Sequence, residues 1–460
     1  MSAGTATSTY QTAFERLHAS SAGSGPAWLS ALRKGAIESF VRTGFPTTRE
    51  ERWRTTNVAP IAGKEFALAG TAPEDLAHGE AARAVFGFDR GIRLVFVNGR
   101  LSKRLSSADR LPAGLVVGSL AEALASRPEL VEPYLARGAR AQDHPFVAFN
   151  TAFFEDGAFV HLPPGEVVQE PILLVFLTMA DALTMADALT MAGGGACPAM
   201  SHPRVLVVAG RGSQATIVES YAGPEGRGSL TNAVVEIALD EDANVDHYKL
   251  QQESASAFHV AVSKVRLGRG AALTSHTVSL GGALVRNEVD VVLAEEGYDC
   301  TLNGLFLGTG TQHVDMHTTI DHSRPRGSSR EVFKGILDGR AHGVFDGRII
   351  VRPDARKTDS RQTNRNLLLS EDALVDTKPQ LEILNDDVKC SHAATIGRLD
   401  EDSLFYLRSR GIDRQAARVL LVKAFASDVL SSVRLEPLRR GLEATIGRWL
   451  EGRAAPEETA

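Results

Sequence analysis

Cysteine and aromatic residues are scarce in this chain of 460 residues. It has three cysteines, and phenylalanine, tryptophan and tyrosine together make up only 6% of the residues. The cysteines, Cys197, Cys300 and Cys390, are far apart and odd in number, which excludes a disulfide framework and a Cys-x-x-Cys metal knuckle. Free cysteines suit a reducing compartment, so we predict a cytoplasmic protein.

A strong excess of charge and a long hydrophobic run are also missing. Lys and Arg number 50 and Asp and Glu number 56, so the formal net charge is only −6. This balance gives no reason to expect nucleic acid or an anionic membrane as a partner. The apolar run at 171–180 is too short to span a bilayer, and residues 1–20 lack the pattern of a signal peptide. A phosphate-binding Gly-x-x-x-x-Gly-Lys-Ser/Thr motif is absent too, so we predict that the chain does not hydrolyse ATP by itself.

The sequence predicts three structural regions. Residues 1–142 mix helical patterns with a strand, residues 143–397 consist mainly of short β-branched runs, and residues 398–451 are helical. We expect residues 452–460 to form a disordered tail. A six-residue repeat within 177–195, LTMADALTMADALTMAGGG, is interpreted as a duplicated surface loop rather than a soft-metal segment.

The short runs of the central region are separated by turns rich in glycine, aspartate and asparagine. Many short strands at near-regular spacing predict a sandwich, a barrel or a solenoid. The length is generous for one sandwich, and most turns lack the Asn-Gly or Asp-Gly pairs of hairpins. These two features favour a β-helix.

Cys390 and His392 place a soft thiol and an imidazole two residues apart in a segment, 381–396, that we predict to be extended. Alternate residues of a strand share a face, so both side chains should point the same way, whereas Lys389 should point away from them. Charge proximity to His392 would lower the pKa of the Cys390 thiol. One thiolate and one imidazole fill only half of a tetrahedral metal shell, and a packed cysteine beside a hydrogen-bonded histidine remains an alternative. A helix follows, with Asp400 as the expected N-cap.

His313, Asp315 and His317 also alternate on a predicted strand and should share one face. Imidazole and carboxylate groups in this arrangement are a candidate zinc or iron site. A structural polar network is the alternative interpretation, because solenoid turns use His and Asp for hydrogen bonding.

Four stretches of the sequence resemble the SufB/SufD family of iron-sulfur cluster assembly scaffolds. They are TKPQLEILNDDVKCSHAATIGRLDEDSLFYLRSRGIDRQAARVLLVKAFASDVL at 377–430, EERWRTTNVAPIA at 50–62, NTAFFEDGAFVHLPPG at 150–165 and FKGILDGRAHGVFDGRIIV at 333–351. The Lys-Cys-Ser-His form ending at His392 is similar to the SufD branch rather than to SufB. Ala393 stands where the family often has glycine.

The resemblance implies a right-handed parallel β-helix core flanked by helical domains. It also implies a non-ATPase scaffold, not an enzyme, that pairs with a SufB-type subunit and shares a transient Fe-S cluster with it. His392 is then the first candidate ligand of the cluster and Cys390 the second. Such a cluster usually takes about four ligands, so a partner must supply the rest. The C-terminal helices are expected to dock a SufC-type ATPase through Phe405, Tyr406, Arg410, Gly411, Leu420 and Phe425.

Other functions remain open at this stage. Within the family, the chain is alternatively a SufB-like or homodimeric form, and a homodimer is expected when the chain is expressed alone. Outside it, the alternatives are a structural adaptor with no metal ligand and a polysaccharide-active solenoid enzyme. The enzyme would need clustered acids on an exposed sheet face and usually a secretion signal.

Overall fold

The chain is mainly β and winds into a parallel solenoid, as seen in a computed structural model of the protein. The structure describes residues 3–20, 26–70, 74–88, 91–108, 111–179, 197–226 and 228–451. The helices, numbered along the chain, are α1 (Ala3–Ser20), α2 (Ala27–Thr43), α3 (Ala59–Ala62), α4 (Glu74–Ala84), α5 (Leu120–Ser126), α6 (Pro128–Val131), α7 (Pro145–Phe153), α8 (Glu401–Ser409), α9 (Arg414–Ser431) and α10 (Glu436–Glu451). Two short 3-10 helices span Glu51–Trp53 and Ala141–Asp143.

The strands, also numbered along the chain, form two sheets. Sheet A contains β1 (Ala67–Leu68), β4 (Val116–Ser119), β5 (Gly157–Leu162), β7 (Ala199–Ser201), β8 (Arg204–Ala209), β10 (Ser229–Leu239), β12 (Phe258–Leu267), β14 (Leu284–Leu293), β16 (His313–His322), β18 (His342–Val351) and β20 (Leu374–Ile383). Sheet B contains β2 (Ile92–Val97), β3 (Arg100–Leu101), β6 (Ile172–Leu177), β9 (Gln214–Ala222), β11 (Asn244–Gln251), β13 (Ala272–Ser279), β15 (Asp299–Gly308), β17 (Ser328–Leu337), β19 (Asp359–Leu368) and β21 (Lys389–Arg398).

Each turn of the solenoid adds one strand to each sheet. From β8 onward, each strand pairs in parallel with the strand two places later in the chain, as in the register of Ser360 with Cys390. Inward residues at alternate positions fill the space between the sheets, and Val314, Met316 and Ile320 of β16 belong to this core. The predicted β-helix is therefore confirmed, because the short apolar runs close a continuous interior only when stacked.

Glycine turns allow neighbouring coils to approach each other closely. Gly339 has a φ of 66°, and a Cβ at this position would meet the backbone nitrogen of Gly310 at 3.0 Å. A side chain would thus be strained twice, by the positive φ and by the neighbouring turn. This accounts for glycine in a turn such as the one at Gly339.

The N-terminal region joins the solenoid instead of standing apart from it. Strand β2 extends sheet B by pairing with β6, and β4 extends sheet A by pairing with β5. Aromatic rings of α2 and α7, such as Phe40 and Phe149, stack with centroids 4.6 Å apart in a core cluster that includes residues of sheet A. A domain boundary at 142/143 stays a prediction.

Helices α8, α9 and α10 follow the solenoid, and apolar residues of α9 and α10 share a cluster with outward residues of sheet B, including Leu305 and Ile336. Asp400 caps α8 by accepting from the Ser403 N–H, as the sequence predicted, and Asp413 caps α9 through the Ala416 N–H. None of the helices within the described ranges is both long and apolar enough to cross a membrane.

One predicted element is wrong. Residues 381–396 are not a single extended segment, because β20 ends at Ile383 and β21 begins at Lys389. Between them the Asn385 side chain accepts the Asp387 N–H at 2.9 Å and closes a turn, a local bond that competes with strand pairing. The predicted tail at 452–460, and the surface loop at 177–195 apart from its first three residues, lie outside the described residues.

Candidate functional site

The solenoid ends in an open turn made by β20 and β21. These are the last strands of sheets A and B, and within the described ranges each pairs with only one neighbouring strand. Large apolar side chains are left exposed there: Leu374 is 63% exposed, Leu384 58% and Ile396 52%. The last turn therefore presents both strand edges and apolar surface that the described residues do not cover, and we call it the open end.

Cys390 and His392 lie on the inward face of the open end. The register pairs Cys390 with Ser360 and His392 with Gln362, and both of these partners are buried. The prediction that the thiol and the imidazole share a face is thus supported by the register. Their exposure differs, because His392 is exposed while Cys390 is half-buried against a small cluster containing Ile349 and Val351.

Burial raises the pKa of the Cys390 thiol, and a backbone hydrogen bond from Ser360 only partly opposes this effect. The expectation that charge proximity activates Cys390 is therefore wrong: the thiol is protonated at neutral pH in this structure. A metal ion would have to displace that proton, as thiolate ligation always requires.

A row of polar side chains lies directly beneath the open end, and the sequence analysis missed it. Strand β19 directs Ser360, Gln362, Asn364 and Asn366 inward, and all four are at most 2% exposed. Apolar residues normally fill the inward positions of a solenoid. The signal was present in DSRQTNRNLL, which is polar at both alternating sets of positions until its last two residues.

Gln362 connects this row to a buried acid one strand deeper. Its Nε2 donates to Glu331 Oε2 at 2.6 Å, and the register stacks His392, Gln362 and Glu331 on three successive strands. Burial raises the pKa of Glu331 to about 7. A titratable carboxyl therefore lies two strands below the exposed imidazole.

His313, Asp315 and His317 lie elsewhere, on the outer face of sheet A. The Asp315 carboxylate is fully buried, and its Oδ2 accepts hydrogen bonds from Arg286 and from Thr56. His317 Nε2 lies 3.0 Å from the other oxygen, Oδ1. His313 Nε2 lies 2.8 Å from the Thr56 hydroxyl. Burial alone would raise the pKa of Asp315, but Arg286 and His317 hold it well below its usual value.

Arg286 is the centre of this network. Its guanidinium lies 3.8 Å from the centroid of the Trp53 ring, and its Nε donates to Glu288 Oε1 at 2.7 Å. Glu288 is also 3.1 Å from His144 Nε2. In the described part of the chain, no group of three or more His, Cys, Asp or Glu side chains is arranged to hold a metal ion. Metal binding by His313, Asp315 and His317 stays a prediction, and the contacts favour a structural ion-pair network.

A groove of about 880 Å³ runs along the outer face of sheet A, beside this network and away from His392. Its lining carries both signs of charge, and the charges pair with one another, as Lys264 does with Asp290 and Arg348 with Glu382. Because these side chains neutralise one another, the groove has no clear preference for an anionic or a cationic ligand.

The predicted ATPase-docking residues fall into two groups. Phe405 is 73% exposed, Tyr406 58% and Leu420 47%, and they lie on α8 and α9. Arg410 and Gly411 are also exposed, at the end of α8. Phe425 differs, because its ring is half-buried and lies 4.7 Å from the Lys334 ammonium.

Comparison with known proteins identifies relatives along most of the chain. A family model described as the SufBD core domain of the SUF system for FeS cluster assembly matches residues 190–425, and a model for the SufBD N-terminal region matches residues 4–174. An iron-sulfur cluster assembly SufBD family protein of Synechocystis is 33% identical over 422 residues, covering 90% of this chain and 89% of that protein. The iron-sulfur cluster assembly protein SufD of Escherichia coli is 31% identical over 419 residues, covering 91% and 92%. Protein ABCI7, chloroplastic, of Arabidopsis thaliana is 29% identical over 410 residues, covering 87% and 82%.

Proposed function

The chain belongs to the SufBD family of iron-sulfur cluster assembly proteins and is SufD-like. From this premise we propose that it is a non-ATPase scaffold subunit that pairs with a SufB-type subunit. The observation that carries the proposal is the open end, where His392 is exposed at the uncovered last turn of the solenoid. An Fe-S cluster is the cargo of this scaffold, assembled and then passed on.

The open end is the proposed pairing surface. Each of its two strands has ten residues and a free edge, and an unpaired edge is a template for a strand from another chain. Leu374, Leu384 and Ile396 add apolar area that pairing would remove from water. A partner docked here would cover His392 and Cys390 together.

The cluster is proposed to form at the boundary between the two subunits. His392 supplies an imidazole and Cys390 a thiol, and a cluster needs about four ligands, so the partner supplies the remainder. Cys390 is protonated and half-buried, which makes His392 the first ligand and Cys390 the second. Assembly in the cytoplasm is part of this proposal, because three unpaired cysteines suit a reducing compartment.

The C-terminal helices are the proposed docking site for a SufC-type ATPase. Phe405, Tyr406 and Leu420 are large apolar side chains left exposed on α8 and α9, and exposed apolar surface marks interaction sites. Phe425 is half-buried, and its contact with Lys334 joins α9 to strand β17 of the solenoid. Nucleotide-driven movement of the ATPase would reach the solenoid through helices that pack on sheet B.

The test is anaerobic reconstitution of the chain with its SufB-type and SufC-type partners. His392→Ala should leave the native mass of the complex unchanged and abolish cluster formation, read by visible absorption and iron content. His78→Ala, which removes an exposed histidine of α4, is the matched control and should load normally. A normal cluster yield in the His392 variant would refute the assignment.

The remaining alternatives are separated by two further measurements. If the chain expressed alone has a dimeric native mass and loads a cluster without partners, the homodimeric or SufB-like form is correct. If the metal content of the complex is unchanged when both Cys390 and His392 are replaced, the chain is a structural adaptor.

A further inference from the structure

Only one of the two polar atoms of the Gln362 amide has a hydrogen-bond partner among the described residues. Its Nε2 donates to Glu331, but its Oε1 is buried and has no hydrogen-bond partner among the described residues. A buried acceptor without a donor costs free energy, so such an atom calls for an explanation. The residue stacked above it on the next strand is His392.

The neighbouring polar side chains of β19 do not share this arrangement. The Ser360 hydroxyl lies 2.7 Å from the Ser329 hydroxyl, and Asn364 Oδ1 accepts from Asn366 Nδ2 at 2.6 Å. Asn366 Oδ1 is also unpaired in the described structure, but it is in register with Ile396, which has no hydrogen to donate. Gln362 is the member of the row that combines a free buried acceptor with a potential donor above it.

We propose that Gln362 positions His392 by accepting one ring N–H, which leaves the lone pair of the other ring nitrogen for iron at the open end. The proposal rests on the proposed role of His392 as a ligand. Adjacent strands lie about 4.8 Å apart, so register partners are within reach of a side-chain hydrogen bond. Histidine ligands commonly donate their second N–H to an oxygen acceptor, which fixes the tautomer and the orientation of the ring.

Glu331 fixes the orientation of the Gln362 amide from the strand beneath it. Its Oε2 holds the amide nitrogen of Gln362, so the amide oxygen is the atom left to accept from above. His392 makes no hydrogen bond to the described residues, so the ring is free to turn toward Gln362 when a partner subunit covers the open end. Gln362 is thus a positioning residue that does not itself contact the cluster.

The experiment uses the complex reconstituted with its SufB-type and SufC-type partners. Gln362→Met keeps the length of the side chain but removes the acceptor, and it should weaken anaerobic Fe(II) binding roughly 10- to 100-fold. Asn366→Leu is the matched control, because it replaces a buried amide of the same strand beneath a residue that cannot donate; Fe(II) affinity should hold. Equal Fe(II) affinity in the Gln362→Met and unmodified complexes would overturn the proposal.

A second measurement needs no substitution and still decides the question if Gln362→Met does not fold. Pulsed electron paramagnetic resonance of the reduced cluster on the unmodified complex reports the coupling of the remote imidazole nitrogen, which responds to hydrogen bonding of its N–H. We expect a value typical of a hydrogen-bonded N–H in the unmodified complex. Where the variants fold, the value should shift in Gln362→Met and persist in Asn366→Leu. A value typical of an unbonded N–H would overturn the positioning role.

The two proposals fail in different ways. If His392→Ala leaves Fe(II) affinity unchanged, the ligand assignment itself is wrong. If His392→Ala abolishes binding while Gln362→Met leaves both the affinity and the nitrogen coupling unchanged, only the positioning role is wrong.

Discussion

Two strands of this solenoid carry metal-binding residue types at alternating positions, and the structure gives the two sets opposite surroundings. On β16, His313, Asp315 and His317 are enclosed by the N-terminal region and bonded to Arg286 and Thr56. On β21, Cys390 and His392 stand at a turn that nothing in the described chain covers. Alternating positions on β16 therefore hold side chains that bond to the rest of the protein. Alternating positions on β21 hold a thiol and an imidazole that remain available to a ligand.

The difference lies in what each polar group meets. Asp315 and Glu288 are buried charges compensated by Arg286, so the network holds the N-terminal region on sheet A. At the open end, by contrast, the apolar surface is exposed and Gln362 Oε1 has no described partner. An unpaired acceptor beneath an open strand edge indicates a molecule that binds there, whereas the charges of the buried network are compensated by the ion pairs of Arg286.

Removing the centre of the buried network is the strongest way to test this comparison. Arg286→Met should lower the free energy of unfolding by about 3–5 kcal/mol, because Glu288 and Asp315 lose their buried countercharge. Urea unfolding followed by circular dichroism measures the change. Arg348→Met removes an arginine from an exposed pair with Glu382 and should cost only about 0–1 kcal/mol. Equal losses in the two variants would show that the network does not hold the fold.

The sequence was sufficient for the fold, but it did not reveal the surroundings of the histidines on β16 or of His392 on β21. The assignment of a ligand site to Cys390 and His392 stays a prediction. Strand spacing and glycine turns predicted the solenoid because they are local, and the alternation on β21 correctly placed Cys390 and His392 on one face. Arg286 meets Asp315 only through strand register, and Thr56 lies far away along the chain, so that network could not be read from local pattern. The prediction of an activated Cys390 thiol was wrong for a similar reason: the burial that raises the pKa of this thiol comes from other strands and cannot be seen in the local sequence.

Glu331 offers a pH-dependent test of the region beneath the open end. Burial raises the pKa of this carboxyl from 4.5 to about 7, so the folded state favours the protonated form. Ionisation then costs stability as the pH rises from about 4.5 to about 7, and the cost is complete above that window. Glu331→Gln should therefore stabilise the protein at pH 8, by up to about 3 kcal/mol, and have little effect at pH 4.5.

Unfolding curves of the Glu331→Gln variant at several pH values measure this effect. Glu295→Gln, at an exposed position on the same solenoid, is the control for replacing a carboxyl by an amide. A stability difference that does not change between pH 4.5 and pH 8 would mean that Glu331 is not the buried, neutralised acid described here.

The smallest expected change in stability comes from replacing His392, and comparing it with the replacement of His317 tests most directly whether the two histidines differ in role. His317→Ala removes a buried ring whose Nε2 lies 3.1 Å from Arg286 Nη1 and 3.0 Å from Asp315 Oδ1, which should cost about 1–3 kcal/mol. His392→Ala removes an exposed ring and should change the free energy of unfolding by no more than about 0.5 kcal/mol, measured on the chain alone. If His392→Ala proved as destabilising as His317→Ala, the imidazole at the open end would be a structural group. A near-zero cost would instead mean that folding does not account for His392, and that its role must be sought in what binds there.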